Sequence, residues 1–389
     1  MTTMTKTERI HSMDALRSIL MILGIVLHAS EAYNLGENDI WPRDPDTTHI
    51  FQNYLNSVIH LFRMPLFFLV AGFFGSFLYY ERGPIAMLRN RVMRIGLPFA
   101  VFLLILHPVI LGALSFTSSA FNASLTEIST DFTFLPRISY HLWFLYYLMI
   151  LTAIAFTLAY VVRRARLGIY VRRVFDWLMT HRPIAILSFS IVIFLLLVWM
   201  WDTWVPTPLS FIPDIQVIIF YAFFYFIGWT LYHAKHLLEH FKRFDWVLFI
   251  LGMSIYTLKY FLSDFIGDVA YGALNALLIW FFVFGIIGLF NRYFNQQSFQ
   301  MRYISDASYW VYLTHLPLTL FIPGLLAGLP LPFYIKFLIV VMATTFITFI
   351  TYHFMVRATP IGKFLNGRTY SLQAQKKANR REFIPDKSG

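Results

Sequence analysis

Asp14-Ala-Leu-Arg17-Ser-Ile-Leu-Met-Ile-Leu-Gly-Ile-Val-Leu-His28-Ala-Ser-Glu31 lies inside an apolar run, residues 13–34, yet carries four ionisable groups. A run of about 20 apolar residues is enough to cross a bilayer as a helix. Arg17 and His28 are eleven steps apart, and eleven turns of about 100° bring them to within roughly 20° of each other on the helix surface. Asp14, Met21, Gly24 and Glu31 fall on the same stripe, while the other sides are Leu, Ile and Val. Charge is costly in hydrocarbon and turns towards the bundle interior or a wet cavity, so a polar stripe on a membrane helix reads as a functional site.

Composition sets the context for that helix. The 389 residues are 58% hydrophobic and only 13% charged, too little charge to solvate a globular surface of this size. The fold expected is an all-α integral membrane bundle of ten transmembrane helices, at 13–34, 57–80, 94–114, 141–162, 184–201, 215–233, 245–262, 271–290, 304–323 and 333–356. The net charge of +11 suggests a nucleic-acid partner until its placement is considered. With the N-terminus cytoplasmic, 25 of the 31 Lys and Arg fall on inner segments. These include Lys6, Arg9, Arg82, Arg89, the cluster from Arg163 to Arg182, and the tail beyond Arg357. Outer segments hold Arg43, Arg137 and the helix-end residues Lys259 and Lys336. This is the positive-inside pattern, with both termini cytoplasmic and no nucleic acid. The chain divides into a transmembrane domain, 1–356, and a polar basic cytoplasmic tail, 357–389. It has no cysteine, which excludes disulfides, a thiol acyl-enzyme and a thiolate metal site.

The first-helix stripe resembles membrane acyltransferase family 3, whose members commonly open Leu-Asp-Gly-Leu-Arg and place a histidine ten residues after the arginine. This chain reads Met13-Asp-Ala-Leu-Arg17, with Ala15 where many members have Gly. Arg91-Val-Met-Arg94 is similar to the family's Arg-x-x-Arg motif. His60-Leu-Phe-Arg-Met-Pro-Leu-Phe-Phe-Leu-Val-Ala-Gly-Phe-Phe74, His141-Leu-Trp-Phe-Leu145 and Tyr309-Trp-Val-Tyr-Leu-Thr-His-Leu-Pro317 are similar to the branch associated with succinylation of periplasmic glucans. The resemblance implies an enzyme of the bacterial inner membrane. It would transfer an acyl group, succinyl or acetyl, from acyl-CoA as co-substrate to an extracytoplasmic glucan or other polysaccharide, with no bound cofactor.

Acyl transfer to a sugar hydroxyl needs a base for the alcohol proton, donors for the oxyanion and positive charge for the CoA phosphates. His28 is the candidate base, about 16 Å along the axis from Arg17 and towards the outer leaflet. Glu31, one turn on, either orients the imidazole and holds its charged form or is structural. Arg91 and Arg94 open the third span, where the helix N-terminus adds to their attraction for anions. There they serve either CoA binding or topology alone. Arg17 either meets the pantetheine or pairs with Asp14.

His60, Arg63, His141 and His315 fall in the outer halves of their helices as acyl or acceptor contacts. Arg63 offers a planar fork for a succinyl carboxylate; the rival reading is an ion pair with Glu31. No helix offers a His-x-x-x-His or Glu-x-x-His pair pointing inward, so no metal is expected, although His107 lies at a similar depth. The aromatic loop Trp199 to Trp204 is either a sugar-stacking surface or an interfacial anchor. Arg63-Met-Pro-Leu before Gly72 and His315-Leu-Pro-Leu before Gly324 form a faint internal echo with identical spacing. The alternative function is a proton-coupled transporter or exporter of a sugar or organic anion, for which intramembrane His and Glu are equally natural. Transfer from acyl-CoA without a gradient separates the two.

Overall fold

Helix α2 (Ile50–Arg82) runs for 33 residues, about 50 Å at 1.5 Å per residue, and is the spine of the molecule. A computed structural model describes residues 10–36, 41–123, 133–164 and 168–367. Lys6, Arg9, Arg166 and the chain beyond 367 lie outside the described residues. Against α2 lie α1 (His11–Glu31) on one side and α8 (Ile215–His233) on the other. The α2–α8 contact is close because small residues let the backbones touch. A Cβ on Gly72 would collide with the backbone carbonyl of Tyr225, and one on Gly228 with that of Leu69.

Helix α3 (Pro84–Arg91) passes through a π turn, Val92–Gly96, into α4 (Leu97–Phe121) as one continuous span. Next come α5 (Trp143–Arg164), α6 (Gly168–Thr180) and α7 (Arg182–Met200). A short α9 (Leu238–Phe241) is bent by 64° from α10 (Asp245–Phe261), and α11 (Asp268–Tyr293) packs on both. Helix α12 (Phe299–Leu325) lies between α1 and α4. Helix α13 (Phe333–Thr351) ends in a second π turn, Tyr352–Val356, and α14 (Pro360–Asn366) follows. The architecture is all-helical, and large apolar side chains such as Leu195 and Phe346 are left on the outer faces for lipid.

Among the described residues, eight helices are long and apolar enough to cross a membrane, or nine with the bent α9–α10 pair. The difference from the expected ten lies at 304–323. Helix α12 has the length, but Ser305, Asp306, Ser308, His315 and Thr319 lower its apolarity. All five are buried, because this helix faces protein rather than lipid.

Two other regions differ from the sequence reading. The basic stretch after α5, read as an inner loop, contains the amphipathic helix α6, which buries Phe175 and Met179 and exposes Ile169, Tyr170 and Trp177. The tail expected from 357 begins with α14, packed against α12 and both π turns.

Candidate functional site

Four of the polar side chains singled out, from three segments, meet in one cavity of about 40 Å³. His28 of α1, His60 and Arg63 of α2, and His141 just before α5 line it, with Tyr312 and Thr207. His315 stands directly behind. Its ring is 5.3 Å from that of His28 and 5.1 Å from that of His141.

Gly24 is what lets this cluster form against α1. A Cβ there would stand 2.5 Å from Arg63 Nη2 and 3.2 Å from His315 Nε2. With only hydrogen at this position, Arg63 lies flat on the helix and its Nε donates to the Leu20 carbonyl at 3.0 Å. Arg63 is 6% exposed and stacks near the Phe67 ring, 5.7 Å from its centroid. No ion pair joins it to Glu31 or to another carboxylate among the described residues. The two echoing phrases, around Arg63 and His315, therefore converge on one glycine.

Backbone carbonyls fix how three of the imidazoles present their lone pairs. A carbonyl only accepts, so the ring nitrogen facing it carries the proton. Pro317 has no N–H, which leaves the carbonyl of Leu313, four residues earlier, without its helical donor. His141 Nε2 fills that vacancy at 3.2 Å, and Tyr312 returns a hydrogen bond from its hydroxyl to the His141 carbonyl at 2.8 Å. The Nδ1 of His141 is thereby the acceptor nitrogen, buried without a partner among the described residues. His315 Nδ1 donates to the Tyr312 carbonyl at 2.7 Å, leaving a buried lone pair on Nε2. His60 Nε2 donates to the Val205 carbonyl at 2.9 Å. The pocket thus presents several imidazole lone pairs and one guanidinium, a set suited to hydroxyl protons and an anionic oxygen.

Glu31 does not reach His28. Its carboxylate accepts from Asn56 and from Asn34, both at 2.8 Å. The His28 ring stacks instead on Trp41, with centroids 5.4 Å apart and planes 12° from parallel. Trp41 had no signal in the sequence, since an aromatic residue in a loop has no periodicity to place it. Tyr312 did have one: it sits three residues before His315, on the same helix face.

At the inner end of α1, Arg17 pairs with Asp14 at 3.4 Å and lies 5.3 Å over the Phe74 ring. Ser18 bridges to Ser305 of α12 at 2.8 Å. Arg91 turns inward, donating from Nη2 to the Ala71 carbonyl at 3.1 Å. Arg94 lies in the π turn and donates to the Asn366 carbonyl at the end of α14 at 2.8 Å. The Arg-x-x-Arg motif thus sits at a π distortion, a feature frequent at functional sites.

Other candidates fall elsewhere. His107 is held by the Tyr140 hydroxyl and the Thr133 carbonyl, at 2.9 and 2.8 Å. In the aromatic outer loop, Trp201 is fully exposed, whereas Trp204 stacks on His60 with centroids 5.9 Å apart. Lys259 and Lys336, the helix-end residues placed on outer segments, are both buried. Lys259 sits over the Tyr271 ring at 3.9 Å and bonds to Asn275; Lys336 pairs with Asp44 at 2.7 Å. Among the described residues, no group of three or more His, Asp or Glu converges as metal ligands would.

Comparison with known proteins bears on this site. Residues 10–353 match a family described as an acyltransferase domain. The chain is similar to the glucans biosynthesis protein C of Salmonella paratyphi B, of Salmonella dublin and of Salmonella enteritidis. Each is 26% identical over 339 residues, covering 80% of this chain and 83% of the relative. No solved structure matches.

Proposed function

The chain belongs to the acyltransferase 3 family, and on that premise we propose that it carries a succinyl group from cytoplasmic succinyl-CoA to a hydroxyl of an extracytoplasmic glucan. The name of the relatives, glucans biosynthesis protein C, supports the acceptor. The observation that carries the chemistry is the enclosure of His28, His141, His315 and Arg63 around one point of α1. His28 takes the proton of the acceptor hydroxyl as its oxygen attacks the thioester carbonyl. The tetrahedral oxyanion collapses, the C–S bond breaks, and the CoA thiolate leaves and recovers the proton from the imidazolium.

Among the described residues no carboxylate pairs with the buried Arg63 cation, which supports a donor ending in one: the succinyl carboxylate would supply the missing charge. Arg17, Arg91 and Arg94 hold the CoA end at the inner leaflet. The proposed topology has ten spans in the bacterial inner membrane, with both termini and the tail from 357 in the cytoplasm. Purified protein in liposomes, given succinyl-CoA and a neutral glucan with no ion gradient, should produce succinylated glucan detectable by mass spectrometry. A product that appears only under a proton gradient, or no acylated glucan with either succinyl-CoA or acetyl-CoA, would contradict the proposal.

A further inference from the structure

A general base that becomes an imidazolium in a low-dielectric site needs something to stabilise that charge. The carboxylate nearest in sequence, Glu31, is engaged by Asn34 and Asn56, and among the described residues the groups around the ring offer none. The titratable and charged groups facing His28 are His315 of α12, Arg63 and His60 of α2, and His141 before α5, which are neutral or positive partners. What the ring does have is the flat face of Trp41, nearly parallel at 5.4 Å.

We propose that Trp41 is a positioning residue for transfer: its indole face holds the His28 imidazole and stabilises the imidazolium formed when the base takes the acceptor proton. The inference rests on His28 being the base. Indole is the strongest of the aromatic faces for a cation, and more so when water is excluded.

The loop that carries Trp41 is fixed in place by contacts unusual for a surface segment. Asp44, three residues on, is 1% exposed and pairs with Lys336 of α13, also 1% exposed, at 2.7 Å. The Asp44 amide donates to the carbonyl of Ala32, one turn beyond His28, at 2.9 Å, and the His49 amide donates to that of Tyr33 at 2.9 Å. The His49 ring stacks on Phe333 at the start of α13, with centroids 4.1 Å apart. Trp41 is thereby tied both to the helix that bears the base and to α13. A buried ion pair is costly unless complete, so this anchor holds the loop in one arrangement.

The test compares Trp41→Leu, which keeps apolar bulk without a π face, with Trp41→Phe, which keeps a weaker one. Both are measured as purified full-length protein in liposomes with succinyl-CoA and a neutral glucan oligosaccharide. Trp41→Leu should lower kcat about tenfold, a change of about 1.4 kcal/mol, with Trp41→Phe between it and the parent and the donor KM unchanged. The pH profile separates this from lost packing. The base acts as neutral imidazole, so weakening its protonated form should move the acid limb of kcat/KM to lower pH, furthest in Trp41→Leu. Should Trp41→Leu not accumulate, Trp41→Phe carries the same comparison with a smaller shift.

An unmoved acid limb in both variants, or equal losses in the two, overturns the proposal. His28→Ala on the same preparation separates the layers. Transfer retained in His28→Ala removes the base reading and this inference with it, whereas transfer lost in His28→Ala but unaffected in Trp41→Leu removes only the role of Trp41.

Discussion

Gly24→Ala is a one-methyl probe of the outer cavity. The added Cβ would stand 2.5 Å from Arg63 Nη2 and 3.2 Å from His315 Nε2, against an ordinary contact near 3.4 Å or longer. Arg63 Nη2 must therefore move by about 1 Å, and it can, being the end of a long side chain. The fold should tolerate the change, since alanine is favoured over glycine inside a helix by about 1 kcal/mol, which offsets much of the local crowding. Activity should not tolerate it. A displacement of about 1 Å in a positioned group costs on the order of 100-fold in rate, or about 2.7 kcal/mol. The assay is succinyl transfer to glucan in liposomes, alongside thermal unfolding of the same sample. Near-parental transfer with a normal melting curve would mean that the placement of Arg63 and His315 against α1 is irrelevant to the reaction.

Arg63→Gln should depress succinyl transfer far more than acetyl transfer, since only the succinyl donor loses a charge partner; equal losses measured with both donors would remove Arg63 as a donor-selecting residue. Arg91→Ala and Arg94→Ala should raise the KM for succinyl-CoA by about tenfold each, the scale of a charge-assisted contact, while leaving acceptor KM alone, and unchanged donor KM in both would confine the motif to structure. Reporter fusions at Trp41 and Pro206 should signal outside and one at Arg166 inside; an inside signal at Trp41 would place Arg91 and Arg94 on the face without CoA.

The membrane fold and the first-helix stripe were legible because both are periodic. Apolar runs mark spans, and the eleven-residue spacing of Arg17 and His28 marks a shared face. Arg63, His141 and His315 were legible one at a time, as polar groups where lipid would otherwise lie, but their convergence on Gly24 depends on how α1, α2 and α12 pack. The proline in His-Leu-Pro317 announces an unsatisfied carbonyl at Leu313; that His141 fills it is a tertiary fact. The partners of Glu31 were hidden for a related reason. Its spacing from His28 is right for contact, yet two asparagines, one on another helix, hold it elsewhere. A lysine at a helix end reads as snorkelling to water, so neither the Asp44 partner of Lys336 nor the aromatic cage of Lys259 could be read from the chain. The length of the run at 304–323 reads as a span, but the buried polar residues of α12 that carry His315 into the site also leave it less apolar than the other spans.

The central claim is that His28 is the base, and His28→Ala tests it most directly. The variant should accumulate in the membrane, bind succinyl-CoA as the parent does, and lose at least about 100-fold in glucan succinylation, the range for removal of a general base. Near-normal transfer by His28→Ala in liposomes, at the parental level of protein, would contradict the account.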